Sequence, residues 1–149
     1  MGMDMHLTAR RYVSEYDEGD RELSMKVKQN FPELREETIQ GIDVRVGYWR
    51  KANAIHKWFV EHVQEGKDDC GDYLCSVDQL KELKAVCERV IAFRHLAVEL
   101  LPTTDGFFFG STDYDEFYFR DLEYTVKFLD RAIELADTGK WDIEYSSSW

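Results

Sequence analysis

Hydrophobic and polar positions follow two periods along this chain, and an element is expected wherever the period changes. From residue 3 to 13 the period is two, with Met3, Met5, Leu7 and Ala9 alternating against Asp4, His6, Thr8 and Arg10, which predicts a half-buried strand. Residues 16–20 hold Asp17, Glu18, Gly19 and Asp20 and predict a turn or loop. Residues 21–30 are polar and set no period, Pro32 interrupts the chain after them, and residues 33–40 leave room for a short helical turn. Ile42, Val44 and Val46 alternate with Asp43 and Arg45, which predicts a few extended residues.

Over residues 47–64 the pattern turns helical. Tyr48, Ala52, Ile55, Phe59 and Val63 form one stripe, and Trp49, Asn53, His56 and Val60 a neighbouring one. Asn53 and His56 fall near the middle of the broad face so made, while Arg50, Lys57 and Glu61 fall opposite, and Gly66 is placed to stop the helix. Residues 65–74, crowded with Gly66, Asp68, Asp69, Gly71 and Asp72, read as a loop. Ser76 with Gln79 makes a capping box, opening a helix with Leu80, Leu83, Cys87, Val90 and Ile91 on one face that extends to Leu96 or beyond until Pro102 blocks it. A second loop, 103–110, leads to Ser111, Thr112 or Asp113 as caps of a last helix, with Asp115 and Glu116 in its first turn and Tyr114, Phe117, Tyr118, Leu122, Val126, Leu129, Ile133 and Ala136 as its core stripe. Gly139 ends that helix, and Trp141, Ile143 and Tyr145 alternate as a closing strand. Strand-like ends around three main helices give an α+β domain spanning residues 1–149, with the first and last strands paired in a small antiparallel sheet.

Composition changes this picture in two ways. At 149 residues and 44% hydrophobic the chain suits one domain with its own core, and 30 acidic against 19 basic side chains leave a net charge of −11. That charge argues against direct binding of nucleic acid or of an anionic membrane, and fits solubility or mimicry of a nucleic-acid surface toward a basic partner. No run of apolar residues is long enough to span a membrane and no signal peptide opens the chain; with three sparse cysteines (Cys70, Cys75, Cys87), a reducing, cytoplasmic setting is expected.

Against the acidic background, residues 44–60 carry Arg45, Arg50, Lys51 and Lys57 and no acid, a local +4. Tyr48, Trp49, Arg50, Lys51, Asn53 and His56 are a set suited to a nucleotide-like anion: rings stack on a base, an amide reads its edge, and cations hold phosphate. Read as scaffold instead, Trp49 and Phe59 are core, the cations are solvated, and Asn53 and His56 tie the backbone together. A second cluster sets seven aromatic rings in residues 106–119, more than one helix face can bury, so Tyr114 and Tyr118 are the expected opposing wall. Asp113 and Asp115 form a D-x-D pair that suits a divalent cation or, more simply, a helix dipole. His62, Cys70 and Cys75 have poor zinc spacing, Cys87 lies on a core face, and Cys70 sits among aspartates that disfavour a thiolate. No cofactor is specified, and none of the common phosphate-loop, nucleophile-elbow, dinucleotide or metalloprotease motifs occurs.

Five stretches together carry a likeness: Met1-Gly-Met-Asp-Met, the run YWRKANAIHKWF from Tyr48, Asp68-Asp-Cys-Gly, the run GFFFGSTDYDE from Gly106, and Tyr145-Ser-Ser-Ser-Trp149. On these the chain resembles, over nearly its full length, a family of uncharacterised small proteins encoded by bacteriophages and prophages. The ending departs from the family pattern, where a glutamine more often stands at the place of Ser146, and residues 16–40 match least. The resemblance implies a phage-derived accessory protein in the cytoplasm of a bacterial host, and brings no functional residue with it. The expected function is therefore sequestration of an anionic, nucleotide-like small molecule, or of a host protein. The site would be a cleft between the central helix and residues 106–118. The alternatives are a metal-assisted phosphoester-acting enzyme with His56 as base and Asp113 and Asp115 near a metal, or an acidic DNA mimic that inhibits a host protein. Oligomeric state is left open.

Overall fold

The computed structural model describes residues 2–149; Met1, the first residue of the opening motif, lies outside them. Four strands, β1 (Asp4–Tyr12), β2 (Gly41–Arg50), β3 (Asp72–Cys75) and β4 (Asp142–Ser148), form one antiparallel sheet in the order β2-β1-β4-β3. The α-helices are α1 (Glu18–Asn30), α2 (Asn53–His62), α3 (Val77–Ala92), α4 (Ala97–Leu100) and α5 (Glu116–Asp137), with a 3-10 turn at Arg94–Leu96. The α+β class is as expected, and the terminal strands do pair, Met5 opposite Ser147 and Leu7 opposite Tyr145. Among the described residues the helices number five rather than three, and β2 and β3 flank the terminal pair on either side.

The largest correction concerns the central stretch. β2 continues through Tyr48, Trp49 and Arg50, which pair with His6, Met5 and Asp4, so none of these three is helical. Lys51 then takes φ 58° and breaks the strand, and α2 begins only at Asn53. Gly47 and Trp49 face the core while Tyr48 and Arg50 face out, a period of two that β1 rewards with ladder bonds. Tyr48 and Ala52, four apart, fit a helical stripe equally well on paper; the available strand partner decides against it.

Smaller differences have equally local causes. Residues 21–30, which set no period, form most of α1 because Asp17 caps it, accepting from the Asp20 amide at 3.0 Å, while the Asp20 carboxylate receives Arg11 and the Ser14 amide at 3.0 and 2.9 Å. Residues 33–40 are turn, bend and irregular chain rather than helix. The capping box of α3 is present in both halves, at 3.1 and 2.9 Å, but α3 stops at Ala92 and its continuation is the 3-10 turn. The cap of α5 is Asp115, accepting from the Tyr118 amide at 3.1 Å, not Ser111, Thr112 or Asp113. β3 lies in what reads as loop; four residues are too few to show a period, and pairing of Tyr73 and Cys75 with Tyr145 and Ile143 fixes it.

One face of the sheet is covered. Met5, Leu7, Ile143, Tyr145 and Trp49 point into it and are buried among α2, α3 and α5. Phe59 stacks on Tyr145 with centroids 3.8 Å apart, and Trp49 meets Phe128 edge-on at 5.2 Å. Burial of each such side chain is worth about 1.5–3 kcal/mol. The loop between α4 and α5 straps across the end of this core, where the Met3 amide donates to Phe108 O and the Lys51 amide to Met3 O, both at 2.9 Å. Chain start, β2–α2 corner and aromatic loop therefore meet at one place.

Candidate binding site

At that meeting point Asn53 is the clamp. Its Nδ2 donates to Phe109 O at 2.9 Å and Ser111 O at 2.8 Å, and its Oδ1 accepts from the Thr104 amide at 3.1 Å. Three backbone groups of the aromatic loop are thereby satisfied by one buried amide, whose hydrogen-bonding capacity goes to the scaffold.

His56, one turn on, is 1% exposed and engaged at both nitrogens. Nδ1 accepts from the Tyr145 hydroxyl at 2.6 Å, and Nε2–H donates to Asp68 at 2.9 Å. Burial pushes the imidazole below its ordinary pKa, and Asp68 pulls it partly back; Tyr145 is pushed well above the usual phenol range by burial, so it keeps its proton. Phe109 and Trp149 stand edge-on to the ring at 5.3 and 5.6 Å. The central run, Asp68, the aromatic loop and the chain end, four of the five stretches that stand out in the sequence, converge on this one imidazole.

Beside Asn53, and not beside His56, lies an open cavity of about 240 Å³ between residues 50–55 on one side and 110–122 on the other. Arg50 and Lys51 lie at its edge, the Arg50 guanidinium turned toward the outer face of the sheet, where it meets Asp4 at 3.3 Å. Asp113, Asp115 and Asp121 bring negative charge, and Ala52, Ile55, Tyr118 and Leu122 supply apolar surface. Lys51 holds its left-handed conformation here, and its stem crosses Gly110, where a Cβ would come within 3.1 Å of it; Gly110 itself has φ 81°. A non-glycine residue in this region costs about 1–2 kcal/mol. Asp121 is pushed up to about 6, chiefly by burial. It is the site residue that the sequence pattern does not reveal: it lies one turn after Phe117 on α5, and only the approach of α2 makes it part of a cavity.

Of the eight residues expected to bind, Arg50, Lys51, Asn53 and Tyr118 line this cavity. Tyr48 lies on the outer face of the sheet, its hydroxyl on Asp4. Trp49 is buried with Nε1 donating to Thr125 at 2.8 Å. Tyr114 accepts from the Thr103 amide at 3.2 Å and packs on Tyr118, whose hydroxyl donates to Leu101 O at 2.7 Å. Among the described residues no three His, Cys, Asp or Glu side chains are grouped as a metal ion would need, and no helix is long and apolar enough to cross a membrane. No family model, curated protein or solved structure matches the chain.

Proposed function

We propose that this chain is a phage-derived accessory protein that holds a small nucleotide-like molecule, without turning it over, in the cavity between Lys51 and Asp121. The observation that carries this is a cavity whose lining brings together Arg50 and Lys51 at its edge, the carboxylates Asp113, Asp115 and Asp121, and apolar side chains. Two cations suit a phosphate, while carboxylates suit the exocyclic amines of a base or the hydroxyls of a ribose. Phe117, 68% exposed at the rim, offers a ring for stacking. The left-handed Lys51 supports the same view, since backbone strain persists where position matters more than stability.

Binding rather than catalysis is favoured because His56, the natural base in this region, is sealed and both its nitrogens are committed. Asp121 gives the ligand a pH signature: it is largely ionised at neutral pH, and acidification through about 6 discharges it and weakens the hold on an amine-bearing base. Calorimetric titration with nucleoside monophosphates and cyclic dinucleotides tests the proposal. At least one is expected to bind saturably, about tenfold or more weaker to Arg50→Ala, a loss of some 1.4 kcal/mol. Equal affinity for Arg50→Ala and the parent chain would dismiss the charge-based account.

A further inference from the structure

The solvent-facing side of the sheet carries a row of alternating charge. Glu144 on β4 meets Arg10 on β1 at 3.4 Å, and Arg10 meets Asp43 on β2 at 2.8 and 3.1 Å. The row stops there because β2 is the outermost strand. Two residues along, Arg45 points to the same side, opposite Thr8 as Asp43 is opposite Arg10. Arg45 rests over the Tyr48 ring at 5.5 Å and, among the described residues, makes no ion pair.

Gly41, Asp43, Val44 and Arg45 are all exposed, so this edge is open to solvent. An uncovered edge strand offers its free amides and carbonyls to another strand. The usual protections are partial: a bulge interrupts the ladder at Val46, but it leaves residues 41–45 regular.

We propose that two copies of the chain join edge to edge through β2, antiparallel, about a two-fold axis at Val44. This register sets Asp43 of each copy opposite Arg45 of the other and carries the alternating row across the junction. A shift of the axis by one residue sets two arginines or two aspartates face to face, so charge selects the register as well as the partner. A second copy is the occupant that fits, because the edge is complementary to itself under that axis and Arg45 is the cation the row lacks.

Sedimentation of the full chain over a concentration series into the sub-millimolar range tests this. A weak, salt-sensitive dimer is expected for the parent chain. Arg45→Asp and Asp43→Arg should each be folded by circular dichroism and monomeric, and an equimolar mixture of the two should dimerise, since each variant then faces the charges it needs. Arg45→Asp leaves every ion pair within the chain intact, so it carries the test alone should Asp43→Arg misfold through loss of Arg10. A parent chain that stays monomeric throughout, an Arg45→Asp chain that dimerises like the parent, or a mixture of folded variants that stays monomeric would each overturn the proposal.

Discussion

Asn53 and His56 have similar burial but different consequences when removed. Asn53→Ala strands the Phe109 and Ser111 carbonyls and the Thr104 amide, and a loss of about 2–4 kcal/mol is expected from the cost of unpaired buried groups. Urea denaturation measures it directly. His56 is held below its unfolded pKa, so the native state binds fewer protons there than the unfolded chain. Its contribution is complete above the ordinary histidine value of 6.5 and is lost as pH falls through that value toward the depressed one. Asp121 has the opposite sign: raised from 3.8 to about 6, it favours the folded state as pH falls through that interval. Denaturation of His56→Gln should therefore lose the acid-side decline that the parent chain shows as pH falls below 6.5. Asp121→Asn should steepen that decline at lower pH. A parallel pH profile for His56→Gln and the parent would mean that His56 does not titrate on unfolding.

At the scale of elements, legibility follows the length of the period. β1, with four alternations, and α5, with six turns of stripe, can be read directly, and Ser76 with Gln79 marks the start of α3 from two residues. Tyr48 to Lys51 is where reading fails, because the four-residue steps that suggest helix coincide there with the two-residue steps of β2, and only pairing with β1 separates them. α1 is missed for a different reason: it buries little beyond Asp20 and has no stripe to show. The same strand assignment makes a prediction. Gly47 faces the Phe128 ring, where a Cβ would sit 2.7 Å from its carbons, so Gly47→Ala should cost about 1–3 kcal/mol by overpacking. At an exposed position of a helix beginning at residue 47, the same change would stabilise by up to about 1 kcal/mol, and thermal denaturation separates the two.

Over the whole molecule the unusual sequence stretches turn out to serve two ends at one location. The rings and the imidazole of the central run are scaffold, locked to the chain ends and the aromatic loop, while Arg50 and Lys51, displaced from the helix onto the strand end and its corner, stand at the edge of the cavity. The sequence shows which residues are exceptional but not which side of the β2–α2 corner each occupies, since that depends on one left-handed residue. The most direct measurement is a titration of Lys51→Gly and the parent chain with the same nucleotide panel, alongside their melting temperatures. Glycine relieves the left-handed backbone and removes the cation, so the melting temperature should hold or rise while affinity falls about tenfold or more. Undiminished nucleotide binding by Lys51→Gly, or no binding by either chain, would contradict a cavity built around that charge.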